Sequence, residues 1–226
     1  MKLGGFDVID ARQPDGQWPA IGSIDGIAIH HSVSDRDTNP SNDAAGVESI
    51  RAYHTQTHGW PGIGYHAVIG DDGTIFYVGG ISLQRAHVAV ENDHLLGICL
   101  LGDYSQVLPP PAQIMGCARC IVAMRKATNL HGLIFKGHKE WARPGQGTAC
   151  PGDMWPSYRD DLDLAVAAVE GGPHPMLEMS RSTAVGLMRS QLIAMKKGHA
   201  DAEALFRAQW GFAFNLHSWV LPPELQ

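Results

Sequence analysis

A chain of 226 residues with 44% hydrophobic and 18% charged residues can bury a core and lies outside the compositions of disordered chains. Its formal net charge of -6 denies it the basic face that a nucleic-acid binder uses to displace counterions from phosphate, so no nucleic-acid partner is expected. Four cysteines are too few for a disulfide scaffold, and no stretch reaches the roughly 18 apolar residues of a transmembrane segment.

Near the start, Asp7 interrupts the apolar run that a signal peptide would need, so no export signal is expected and synthesis in the cytoplasm is. Residues 26–30 are a short apolar run with β-branched members, the pattern of a buried strand. Residues 35–41 are polar, contain Pro40 and read as a loop. Asn42 or Asp43 suits the cap of a helix running through Val47, Ile50 and Tyr53 to about Thr57, which Gly59 to Gly62 then end. Strands are expected at 65–69 and 74–78 around Gly70, Asp71, Asp72 and Gly73, a hairpin signal because Asp and Gly tolerate positive φ. A near-continuous apolar strand follows at 96–101. Three consecutive prolines precede a helix over 112–129, residues 133–136 form a strand, and a Gly/Pro-rich loop leads to a helix over 155–170. Strands apolar throughout imply a sheet covered on both faces, so residues 1–170 read as an α/β domain with a central mixed sheet flanked by helices. Residues 171–175 read as a linker and 176–226 as a helical C-terminal extension, with helices over 177–197 and 201–214.

Twelve histidines draw attention to metal and acid–base chemistry. His30 closes the first strand, His138 follows the strand at 133–136, and Cys150 stands in TACPG (residues 148–152). Imidazole nitrogen and thiolate sulfur are the donors zinc prefers. Taken alone, each has an ordinary reading as a hydrogen-bonded histidine or a small buried thiol. His31 competes with His30, although strand alternation turns it to the other side. His54 and His58 stand four apart on a helix without the glutamate of a metalloprotease motif, which favours groove or packing roles. Cys117 and Cys120, three apart on a helix, are read as buried thiols rather than a redox pair or half a zinc site, and Cys99 as core. Glu140 orients His138 or caps the following loop.

One set of motifs occurs in order along the chain: IAIHHS (27–32), RAYH (51–54), GW (59–60), GIGYH (62–66), DG (72–73), AH (86–87), Asn92, LGI (96–98), GDY (102–104), GH (137–138) and ACPG (149–152). Over residues 26–170 this order resembles the type-2 N-acetylmuramoyl-L-alanine amidases, which include phage amidase-type lysozymes and the peptidoglycan-recognition proteins. The resemblance implies one catalytic Zn2+ held by His30, His138 and Cys150, with a fourth position open for water. It places Tyr65 beside that water and the scissile carbonyl. Thr148 takes a position that is lysine in some relatives; its hydroxyl can still donate to a developing oxyanion. His87 and Asn92 match groove-lining positions, with a structural loop role as the alternative; Trp60 is a groove wall or core, and His54 a groove residue.

The strand at 96–101 lacks the carboxylate of some relatives, so no separate glutamate base is expected. The implied reaction is hydrolysis of the amide between N-acetylmuramic acid and L-alanine in bacterial peptidoglycan, by a phage or prophage endolysin that reaches the wall after release. The alternatives are a non-catalytic peptidoglycan-binding module and a cytosolic wall-recycling amidase. The C-terminal helices would dock on the catalytic domain, self-associate, or bind wall or membrane.

Overall fold

Gly26–His31 (β4) and Leu95–Leu100 (β7) are adjacent parallel strands, and every residue of both is buried. This is the both-faces-covered arrangement that their unbroken apolar runs imply. The structure is a computed structural model that describes residues 1–12, 17–34 and 42–171. The expected loop at 35–41, the linker beyond Gly171 and the helical extension over 176–226 lie outside these residues. Residues 1–162 form one compact unit; residues 163–226 form a second, of which positions 163–171 are described.

Three two-residue strands open the chain: Lys2–Leu3 (β1), Phe6–Asp7 (β2) and Ile9–Asp10 (β3). β1 and β2 pair antiparallel as a small separate sheet. The main sheet adds Ala67–Ile69 (β5), Ile75–Tyr77 (β6) and Ile134–Gly137 (β8), in the order β3-β6-β5-β7-β4-β8. Only the β5–β6 hairpin is antiparallel, so the sheet is mixed as expected. Gly73, with φ of 83°, closes that hairpin by donating its N–H to the Gly70 carbonyl.

The helices are Asp43–Ala52 (α1), Pro111–Thr128 (α2), the short His138–Trp141 (α3) and Trp155–Val169 (α4). α1 runs on into a π-helical turn at Tyr53–Thr57, so the expected single helix to Thr57 changes winding at its end. Asn42 is the N-cap residue of α1, whereas Asp43 turns its carboxylate to the Asp71 N–H at 3.0 Å. α2 lies against β5, β6 and β7 and ends at Asn129 in a left-handed cap. Val47 of α1 joins Val68, Phe76, Val78 and Cys99 in one core cluster. Cys117 and Cys120 are fully buried in α2, in line with the reading as core thiols. No described helix is long and apolar enough to cross a membrane.

Candidate metal centre and its cleft

β4 and β8 are parallel neighbours, so the chain leaves both at the same edge of the sheet. Such C-terminal strand ends are where open α/β sheets place ligands. His30 sits one residue before the end of β4, and His138 is the first residue of α3, directly after β8. The start of α3 is held by Glu140, whose Oε2 accepts the Gly137 N–H at 2.7 Å and the Trp155 indole N–H at 2.7 Å. Arg159 donates to its other oxygen at 2.9 Å, so of its two expected roles Glu140 takes the one at His138, capping the turn that begins there, and not the cap of the following loop.

The Cys150 segment is fastened to α3 twice. The Lys139 N–H donates to the Cys150 carbonyl at 2.9 Å, and Lys139 Nζ donates to the Gly152 carbonyl at 3.2 Å. Gly137 permits the approach: a Cβ there would stand 2.7 Å from Pro151 Cδ and 2.9 Å from Trp155 Nε1. Gly137→Ala is therefore expected to cost about 1–3 kcal/mol by overpacking and to displace Cys150 from the histidines. Chemical denaturation and the metal content of the purified variant check both effects.

These elements bring His30, His138 and Cys150 together, with one ligand atom of each lying within 4.8 Å of the others. Among the described residues this is the one such group of His, Cys, Asp and Glu side chains. His30 Nδ1 faces Cys150 Sγ at 3.5 Å, and the His30 and His138 ring centroids are 4.6 Å apart. Burial holds both imidazoles below the ordinary histidine pKa, and for His30 the neighbouring His87 and His138 act in the same direction. Burial likewise pushes the Cys150 thiol up to about 12, against the His31 backbone N–H and the Lys139 ammonium, which favour the thiolate. His31 turns away from the group. Its Nδ1 accepts the Tyr104 N–H at 3.2 Å and lies 3.5 Å from Asp103.

The cluster opens into a cavity of about 960 Å³, lined among others by Tyr53, His54, His58, Trp60, Tyr65 and Thr148. Tyr65 lies beside His30, with ring centroids 5.1 Å apart, and burial holds its hydroxyl well above the ordinary tyrosine pKa. Cys99, the register partner of His30 in β7, is fully buried in the core cluster that Tyr65 packs against. Thr148 Oγ1 accepts the Cys150 N–H at 3.2 Å, a bond that leaves the hydroxyl's own proton available. Trp60 and His58 stack at 4.6 Å and 18° to form one wall. His54, next to them, accepts the Gly64 N–H on Nδ1 at 3.0 Å. Burial brings its pKa down to about 4.

His87 and Asn92 are placed differently from the other expected groove residues. His87 lines the back of the cavity but is 92% covered, with its ring between His30 and the Leu95 carbonyl. Asn92 Oδ1 accepts the N–H groups of His87 and Val88, each at 2.9 Å, and holds the turn between them. The signal that marks His87 in the sequence is Gly97, a side-chain-free position inside an otherwise apolar strand.

The sequence pattern of the N-acetylmuramoyl-L-alanine amidase family matches residues 21–153. Peptidoglycan-recognition protein SC1a/b of Drosophila simulans is 31% identical over 133 residues, covering 58% of this chain and 70% of that protein. The human N-acetylmuramoyl-L-alanine amidase is 28% identical over 143 residues, which cover 58% of this chain and 24% of that protein. An N-acetylmuramoyl-L-alanine amidase from Clostridium intestinale shares the fold, with a TM-score of 0.55 and 23% identity over 74% of this chain and 99% of that one. The matched stretch contains β4, β8 and the Cys150 segment that together build the cluster, and on that match the chain belongs to the type-2 N-acetylmuramoyl-L-alanine amidase family.

Proposed function

We propose that this chain is a zinc-dependent amidase that hydrolyses the bond between N-acetylmuramic acid and L-alanine in peptidoglycan, and that it serves a phage or prophage as an endolysin. The observation that carries the reading is the convergence of His30, His138 and Cys150 beneath an open cleft. Their chemistry fits zinc: bond lengths of about 2.0–2.1 Å to nitrogen and 2.3 Å to sulfur at a tetrahedral centre separate N and S ligands by about 3.5 Å. His30 Nδ1 and Cys150 Sγ stand at that separation. When bound, zinc would supply a Lewis acid for the carbonyl and lower the pKa of a water towards about 7.

The chain's own side chains do the rest. Tyr65 and Thr148 supply hydroxyl donors beside the cluster, where the oxygen of the attacked amide gathers charge; each such donor is typically worth about 3 kcal/mol of barrier. Burial holds the Tyr65 hydroxyl well above its ordinary pKa, so it keeps its proton and remains a donor to that oxygen. The Trp60–His58 wall and His54 offer flat faces to the sugar and stem peptide. β7 carries Cys99, not a carboxylate, opposite His30 in the sheet, which supports hydrolysis without a glutamate base on that strand.

The test is metal analysis of the purified protein together with mass spectrometry of products from isolated peptidoglycan. The expected result is bound zinc and free stem peptides beginning at L-alanine. Wall binding by zinc-loaded protein with no such peptides would make it a recognition module instead. The endolysin role predicts lysis from within only after the cytoplasmic membrane is opened. Turnover of soluble muropeptides alone, without attack on intact wall, would instead mark a recycling amidase.

A further inference from the structure

His87 stands behind the metal cluster and is joined to it in series. Its Nε2 lies 3.1 Å from the Leu95 carbonyl oxygen, and its Nδ1 lies 3.2 Å from His30 Nε2. A carbonyl oxygen has no proton to give, so the first contact requires the proton on His87 Nε2. A neutral imidazole has one N–H, which leaves His87 Nδ1 as a lone pair. His30 must then donate its Nε2–H to it. His30 Nδ1, the atom that faces Cys150 Sγ, is thereby the free lone pair of that ring.

We infer that His87 is a positioning residue that, anchored on the Leu95 carbonyl, locks His30 in the tautomer and orientation that offer Nδ1 to a metal. The inference rests on the reading of His30 as a metal ligand. Metal-binding histidines commonly donate their second N–H to a carboxylate, a backbone carbonyl or water. Here a second imidazole is inserted between the ligand and the carbonyl, so the aim of His30 depends on the turn that carries His87.

That turn is built to hold the ring still. Asn92 fastens its backbone, as described, and Gly97 clears the space beneath: a Cβ there would stand 2.8 Å from His87 Cγ and 3.0 Å from its Nδ1. His66 occupies the other side of the same position, its Nδ1 accepting the Gly97 N–H at 2.9 Å and its Nε2 donating to the Leu83 carbonyl at 3.0 Å. With His87 only 8% exposed, water has little access to break the series. This also gives Asn92 a reason to be where it is without contact to a substrate.

The experiment uses the full chain with 15N-labelled histidine, with and without one equivalent of zinc, and records ring nitrogen spectra. His87 Nδ1 should be unprotonated and His30 Nε2 protonated in both states, with a coupling across the N–H···N bond joining them. Zinc affinity, measured by competition with a chelator, should fall about 10- to 100-fold in His87→Phe, the usual effect of losing a ligand's supporting hydrogen bond. His87→Asn keeps an acceptor at the Nδ1 position and should recover most of that loss. A proton on His87 Nδ1, or a His87→Phe variant that binds zinc as tightly as the parent, would overturn the assignment. So would an Asn variant no better than Phe. If the Phe variant does not fold, the parent spectrum decides alone. If the parent takes up no zinc, the metal-site reading fails, and the spectrum still judges the His87 lock separately.

Discussion

Replacing Cys150 with alanine is expected to abolish stoichiometric zinc retention and to lower amide hydrolysis by roughly 10³-fold or more. The proposed centre has one anionic ligand, and without it two neutral imidazoles remain to hold a dication. Polarisation of the carbonyl and acidification of water are worth several kcal/mol of barrier, and each 1.36 kcal/mol is tenfold in rate. Cys150→Ser should behave like alanine, because a serine hydroxyl does not ionise to replace the thiolate. Cys150→Asp, which offers an anionic oxygen, should keep measurable zinc. The Trp60–His58 wall and His54 are untouched by all three changes, so binding to insoluble peptidoglycan should survive. Metal content, stem-peptide release and wall pull-down, measured on one preparation of each variant, separate these outcomes. Full release of stem peptides by the alanine variant would refute the assignment of Cys150.

Acid is the second large perturbation. Burial depresses the pKa of His54 to about 4, and it holds His66 well below the ordinary value as well. Above pH 6.5 such a histidine is neutral in both the folded and the unfolded chain, and its full contribution is present. Between pH 6.5 and 4 the unfolded chain takes up a proton that the folded one refuses, so stability falls as the pH falls. For His54 the whole loss is about 3 kcal/mol, complete near pH 4, and His66 adds to it in the same direction. Since domains of this kind are stable by about 5–15 kcal/mol, metal-free protein should denature at markedly lower urea at pH 4.5 than at pH 7.5. His54→Asn, which can still accept the Gly64 N–H, should show a shallower dependence. Equal slopes for the two proteins would show that His54 does not carry the effect.

Much of this architecture can be read from local patterns. β4 and β7 announce themselves as unbroken apolar runs, the β5–β6 hairpin by its Asp-Gly turn, and α2 by the prolines before it and Asn129 after it. The three opening strands do not, because two residues carry no periodicity and β3 owes its place to β6, a partner far along the chain. α3 is hidden for the same reason: four residues are too few to show a helical repeat, and its cap depends on Glu140 reaching back to Gly137. The π-helical turn after α1 has the same side-chain pattern as the helix it extends.

The site follows the same rule. His30, His138 and Cys150 are ordinary residues in one dimension, and the ordered motifs single them out without explaining why they meet. The explanation is the parallel pairing of β4 with β8, which no local pattern encodes. His87 is the sharper case. Its motif position suggests a groove residue or a loop residue with equal ease, and only its 3.2 Å contact with His30, in the space that Gly97 leaves clear, shows which way it faces.

The double fastening of Lys139 to the Cys150 segment has an entropic consequence. It makes His138 and Cys150 parts of one local piece, so a metal shared with His30 joins two bodies rather than three. The ion would then act as a staple across the long stretch of chain between β4 and α3, closing a loop that the unfolded chain would otherwise leave open. The freedom so removed grows only with the logarithm of loop length, and the two ends already lie side by side in the sheet. Long insertions between the two ends would therefore change the strength of the staple little, while a cut in the short stretch from His138 to Cys150 would free one of its arms.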